Sequence, residues 1–193
     1  MIEKILTVAI DPGLNGAIAH AYGKETPAVR TMPVKQIIVR ERFRNTLDLS
    51  TIRATLRSLK TLYQPSEIRV FIERQAPRPT DGAIAGFQTG FGFGQLCGMM
   101  YGMSIPYCLV ASVSWRAKLK MERTPDRFKR KADSVALAKR LFPTINLLAT
   151  TKAHKPHDGM AEALLILEYG RRILEETHAS EAGKIQPGDS EDY

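Results

Sequence analysis

Four acids in this chain stand where an acid needs a reason. Asp11 ends the apolar run Leu6, Val8, Ala9, Ile10 and is followed by Pro12 and Gly13; Glu73 ends a second run, Ile68 to Ile72. Asp158 opens the segment HDGMAEALLIL, and Glu162 follows four residues later inside otherwise apolar sequence. A carboxylate delivered to a strand end between covered faces is costly unless its charge is answered. Clustered carboxylates with no Cys and no regular His spacing suit a hard, oxygen-seeking ion, Mg²⁺ or Mn²⁺. Each acid also has a plainer explanation. Asp-Pro-Gly favours a surface turn, or a Gly-rich loop that holds a nucleotide phosphate. Asp158 suits the cap and the positive dipole end of a helix, a role that leaves Glu162 unexplained.

His154 and His157 flank Pro156, which breaks regular helical spacing, and no third nitrogen or sulfur ligand is in view, so zinc is set aside. His154 and Lys155 suit orienting a phosphate or assisting proton transfer, and suit a solvated basic loop equally well. The formal net charge of +8 favours an anionic partner. Nearly all of that excess lies in one place. From Arg116 to Arg140 the chain carries ten basic residues (Arg116, Lys118, Lys120, Arg123, Arg127, Lys129, Arg130, Lys131, Lys139, Arg140) against Glu122, Asp126 and Asp133. That is the footprint of a polyanion partner.

The elements that must position these groups follow from the pattern. Ile5–Asp11 reads as a strand covered on both faces, Ala17–Tyr22 as its hairpin partner and Ala28–Met32 as a third strand. Asp48 or Ser50 caps a helix that runs to about Tyr63 and stops before Pro65, and Ile68–Ile72 is a fourth strand. Between Asp81 and Arg116 there is no charge, and Gly82, Gly86, Gly90, Gly94, Gly98 and Gly102 recur every four residues. Such a stripe also occurs in membrane helix pairs, but Gln88, Thr89, Gln95 and the glycine content argue against a span. The expectation is a buried helix from Ala83 to about Met103, its glycines allowing close approach to the sheet, another helix or a second subunit. Pro106–Val110 is then a buried strand, Trp115 packs a short helix on the core, and helices follow over 126–141 and from Asp158 to about Leu174.

At 193 residues one domain is expected, residues 1–175, with an acidic, disordered tail over 176–193. Cys97 and Cys108 read as buried free thiols of a reducing compartment. With no apolar leader before Asp11, the expected location is cytoplasmic, with no membrane association.

The order of elements, with AIDPGLNGAIA, VFIERQ, VSWRAKL, RKADSVALAKRLFP and HDGMAEALLIL, resembles the RNase H-like fold, and within it the RuvC-type Holliday-junction resolvases, above all phage-encoded forms. The resemblance covers about Lys4 to Leu174. It implies an α/β fold with a mixed five-stranded sheet, three antiparallel strands then two parallel, flanked by helices. It also implies that Asp11, Glu73, Asp158 and Glu162 are the ligands of two Mg²⁺ ions, with Mn²⁺ substituting. The partners it implies are a four-way DNA junction and a second copy of the chain, with no small-molecule cofactor and with the glycine-rich helix in or near the dimer interface. Two features depart from the bacterial pattern. The C-terminal acids are four apart where bacterial forms usually carry Asp pairs three apart, and the aromatic after the second acid is replaced by Arg74, Gln75, Ala76, Pro77 and Arg78. Junction opening then falls to Arg78 or to the stretch from Gly82 to Phe93.

The chemistry implied is two-ion phosphodiester hydrolysis catalysed by Asp11, Glu73, Asp158 and Glu162 with His154 and Lys155 nearby. The DNA backbone is to be held by Arg74, Arg78, Arg116, Lys118, Lys120, Arg123, Arg127, Lys129, Arg130 and Lys131. Other readings are an RNase H-like nuclease on other branched or hybrid substrates, a non-catalytic DNA-binding protein of the same fold, and an actin-like ATPase. The last needs a duplicated domain for which 193 residues do not suffice.

Overall fold

The computed structural model describes residues 4–39, 41–76 and 82–182. Its centre is a five-stranded sheet built from β1 (Ile5–Asp11), β2 (Ala17–Tyr22), β3 (Ala28–Thr31), β6 (Glu67–Glu73) and β7 (Tyr107–Val110), ordered β3-β2-β1-β6-β7. β1 pairs antiparallel with β2, and β2 with β3, whereas β6 runs parallel to β1 and β7 parallel to β6. This is the mixed arrangement that the RNase H-like resemblance implies.

Both faces of the sheet are covered, and β1 and β2 put larger residues on one face and small ones on the other. Leu6, Val8 and Ile10 of β1, with Ile68, Val70 and Ile72 of β6, face one core, where they meet Ile52, Leu56 and Leu59 of α1 (Leu49–Tyr63) and Leu96 and Met100 of α2 (Ala83–Gly102). On the other face Ala9, Ala17, Ala19 and Ala21 leave a shallow floor. Small residues there let α5 (Asp158–Ala182) lie close on the sheet, so Ala161, Leu164 and Leu165 pack with Trp115 of α3 (Ser112–Lys118) and Leu137 of α4 (Arg127–Leu141). Asp48 caps α1 as expected, Asp126 caps α4 without having been singled out, and Asp158, expected to cap the last helix, is instead the first residue of α5. Asp48 accepts from the Thr51 N–H at 3.2 Å and the Ser50 hydroxyl at 2.6 Å, which with the Thr51 hydroxyl pulls its pKa down to about 2. Asp126 accepts from Phe128 N–H at 2.7 Å.

Several expectations are corrected. A hairpin not anticipated in the sequence, β4 (Val34–Val39) and β5 (Arg42–Leu47), forms its own two-stranded sheet between β3 and α1. The glycine-rich helix α2 has the expected span but is not buried: only Leu96 and Met100 are, while Ile84 and Phe87 are about three-quarters and two-thirds exposed. Among the described residues a Cβ at Gly82, Gly90, Gly94, Gly98 or Gly102 would touch nothing, so these glycines are not demanded by packing there. β7 is an edge strand with Cys108 and Leu109 exposed, and Cys97 is only partly covered; neither thiol is buried. α5 runs to Ala182 rather than to Leu174, and Lys118 of α3 pairs with Glu176 at 2.5 Å on its added turns. Residues 183–193 of the expected tail lie outside the described residues. Among the described residues no helix is long and apolar enough to cross a membrane.

Candidate active site

The site is assembled by a close approach at the mouth of α5. The turn after β1 closes with Gly16 N–H donating to the Gly13 carbonyl at 2.8 Å, and Gly16 lies so near the Asp11 carbonyl that a Cβ there would overlap it. Gly159, the second residue of α5, sits against the Asn15 carbonyl and Gly16, where any side chain would collide with backbone. The helix start is therefore seated on the turn that carries Asp11. Its capping comes from His157, whose Nδ1 accepts from Met160 N–H at 3.2 Å.

Glu73 arrives from the neighbouring strand. The Trp115 indole N–H donates to its carboxylate at 3.0 Å and the Gln75 amide at 3.2 Å. Trp115 thus packs the core as expected and also aims a side chain of the acid set, a role not visible in the sequence. Glu162 accepts from Arg116 at 2.5 Å, and the buried Ser134 hydroxyl lies 3.2 Å from the same oxygen. The Arg116 guanidinium also lies 4.2 Å over the Trp115 ring, as cations favour. Asp158 forms an ion pair with Lys131 of α4.

Asp11 feels the charge of the other three acids. Burial is the largest influence on Asp11 and holds its pKa well above the usual carboxylate range; the charges of Glu73, Glu162 and Asp158 push in the same direction, while a backbone hydrogen bond from Gly13 opposes them. Glu73 is also raised, first by burial and also by Glu162, against the Trp115 hydrogen bond and Arg116. For Asp158 burial acts to raise the pKa, but the hydrogen bond and charge of Lys131 outweigh it and the net shift is downward.

Asp11, Glu73, Asp158 and Glu162 all line one cleft of about 1220 Å³. Of the cations expected to hold DNA, Arg74, Arg116, Arg123, Arg127, Arg130 and Lys131 line it as well. Arg116 and Lys131 answer carboxylates in this structure, and Arg130 donates to the carbonyls of Thr124 and Pro125. Lys118 and Lys129 pair outside the acid set, with Glu176 and Glu122, and Lys120 is exposed. His154 and Lys155 are exposed in the loop before α5 and are not among the cleft-lining residues. Arg78 lies outside the described residues.

In kind, this donor set fits a hard divalent cation: it offers only carboxylate oxygens, and their mutual repulsion is the charge excess such an ion answers. In arrangement it is not gathered around one point. Among the described residues no group of three or more His, Cys, Asp and Glu side chains is placed to hold a metal ion, and two of the four carboxylates are turned to Arg116 and Lys131.

No protein-family model and no curated protein matches the chain. Solved structures similar to it include Thermus thermophilus RuvC, 14% identical with a TM-score of 0.48 over 87% of this chain and 96% of that one. T. thermophilus RuvC in complex with a Holliday junction substrate is similar at 12% identity and a TM-score of 0.48, over 88% of this chain and 96% of that one.

Proposed function

We propose that this chain is a metal-dependent, structure-selective endodeoxyribonuclease that resolves four-way DNA junctions by symmetric phosphodiester hydrolysis as a homodimer. The observation that carries the reading is the meeting of Asp11, Glu73, Asp158 and Glu162, from three elements far apart in sequence, in a cleft lined by six Arg and Lys side chains. Asp11, Glu73, Asp158 and Glu162 would hold Mg²⁺ or Mn²⁺. Bound there, such ions supply an activated water and a Lewis acid for the leaving 3′ oxygen. Trp115 fixes the direction of the Glu73 carboxylate. Arg123, Arg127 and Arg130 hold backbone phosphates without reading bases, so selectivity rests on the shape of the branch. The homodimer rests on α2, whose exposed Ile84, Phe87 and Phe91 and open glycines form a face that a second copy would cover.

A panel of four-way junctions, flaps, duplexes and RNA–DNA hybrids with Mg²⁺ tests the reading. Preferential cutting of the four-way junction, abolished in Asp11→Asn with junction binding retained, is the expected result. Full activity of Asp11→Asn would remove the metal role. The ion pairs of Glu162 with Arg116 and Asp158 with Lys131 favour one second reading, a DNA-binding protein of the same fold that does not cut. Junction binding without cleavage in either Mg²⁺ or Mn²⁺ would establish it.

A further inference from the structure

The β4–β5 hairpin is the part of the molecule that neither core explains. Its root is anchored: Leu47 is buried and the Asp48 N–H donates to the Pro33 carbonyl at 2.9 Å. All six residues of β4 are exposed, including Val34, Ile37, Ile38 and Val39, and Phe43 of β5 is 71% exposed. An isolated two-stranded ribbon is marginal in water. Leaving Ile38 and Phe43 of such a ribbon 68% and 71% exposed is a liability unless a partner covers them.

The cross-strand register divides the ribbon into two faces, because paired residues project to the same side. Lys35 pairs with Thr46, Ile37 with Arg44 and Val39 with Arg42, so one face carries Lys35, Arg42 and Arg44. Gln36 pairs with Asn45 and Ile38 with Phe43, so the other face carries two amides and, toward the tip, an aliphatic–aromatic pair. From 34 to 47 the sequence holds Lys35, Arg40, Arg42 and Arg44 against the single acid Glu41. Among the described residues Lys35, Arg42 and Arg44 have no ion-pair partner, although Lys35 is close enough to Asp48 for its charge to be felt there. This is unanswered positive charge beside apolar surface, the pairing of features that suits a nucleic acid, with phosphates for the cations and base faces for the rings.

The root of the ribbon belongs to the acid-bearing cleft. Leu47 and Gly92 both line it, and a Cβ on Gly92 would meet Leu47 at 3.6 Å. From that root six residues per strand reach about 20 Å, the rise of roughly six base pairs.

We propose that the β4–β5 ribbon is a second DNA-binding surface. Its Lys35–Arg42–Arg44 face lies along the backbone of a duplex arm leaving the cleft, and its Ile38–Phe43 pair covers a base exposed at the branch. The inference rests on the nuclease reading for the identity of the partner, and it is tested without catalysis. Binding of a fluorescent four-way junction and a linear duplex is measured in EDTA across a salt series, with the full chain and two surface variants whose folding is checked by melting. The triple variant Lys35→Gln, Arg42→Gln, Arg44→Gln is expected to bind both DNAs at least tenfold more weakly, with the slope of log K against log salt reduced by about 0.9 per lost contact. Phe43→Ala is expected to weaken junction binding roughly fivefold or more and to leave duplex binding unchanged, since only the branch offers an uncovered base. An unchanged slope and affinity in the triple variant would overturn the proposal. So would a shift of Phe43→Ala toward monomer in sedimentation with DNA affinity intact, which would make the ribbon a self-association surface. Ribbon-dependent binding with no Mg²⁺ cleavage by the unaltered chain would support the ribbon and sink the nuclease reading alone.

Discussion

The buried indole N–H of Trp115 donates to the Glu73 carboxylate at 3.0 Å, tying the short helix after β7 to the acid at the end of β6. Trp115→Phe keeps most of the packing and removes this donor. Glu73 is already raised by burial, with Trp115 the largest influence opposing that rise, so its pKa moves further up in the variant. A carboxylate that must be ionised to act then loses function at a higher pH. The expected result is a drop in cleavage rate of about tenfold at neutral pH, with the acidic limb of the pH–rate profile displaced upward. An unshifted limb would show that Trp115 only fills space.

Asp11 is expected to cost the fold stability at neutral pH. Its folded-state pKa is held above the unfolded value by burial and by the other three acids, so as pH rises past that unfolded value the unfolded chain releases its proton first and stability falls until the folded group ionises. Asp11→Asn removes the charge that causes this. Its melting temperature should exceed that of the unaltered chain at pH 7.5, by about 2–4 °C per kcal/mol of repulsion relieved, and the difference should vanish below about pH 4, where the acid is protonated in both states. Equal melting temperatures at pH 7.5 would mean that Arg116 and Lys131 already neutralise the cluster.

Gly159→Ala tests the seating of α5 on the Asp11 turn. The added methyl would meet backbone, the Asn15 carbonyl and Gly16, and not the movable end of a side chain. Overpacking of this kind costs about 1–3 kcal/mol, or roughly 2–12 °C in melting temperature. The helix must also lift Asp158 away from Asp11, so cleavage should fall by more than the lost stability explains, measured at a temperature where both proteins are fully folded. Activity within twofold of the unaltered chain would mean that the acids tolerate a looser floor.

The sheet and the four acids were legible because they obey local rules. An apolar run without polar alternation, ended by an acid and a turn, marks a covered strand of a kind that Ile5–Asp11 and Glu67–Glu73 both prove to be. The hairpin was not legible because Val34 to Val39 carries aliphatic residues that the fold leaves in solvent, and burial is what makes such residues readable as a strand. The helix at 83–102 misled for the converse reason: uncharged, glycine-rich sequence reads as interior, yet in this chain most of it is surface. Cys108 follows the same rule, since an edge strand exposes what a central one hides. The pairing of Arg116 with Glu162 and Lys131 with Asp158 joins residues 46 and 27 positions apart, and it depends on how α3 and α4 dock against α5. No spacing rule reaches that far. In the sequence those cations were simply part of a basic run.

The contact of Gly159 with Asn15 joins the turn after β1 to α5. A protein made from its N-terminus outward possesses Asp11 and Glu73 well before Asp158 and Glu162. Until then the chain carries half of the site's four carboxylates and no α5 to seat on the Asp11 turn. On the proposed reading, a chain that has not yet made α5 is harmless to DNA, and completing that helix is what arms it.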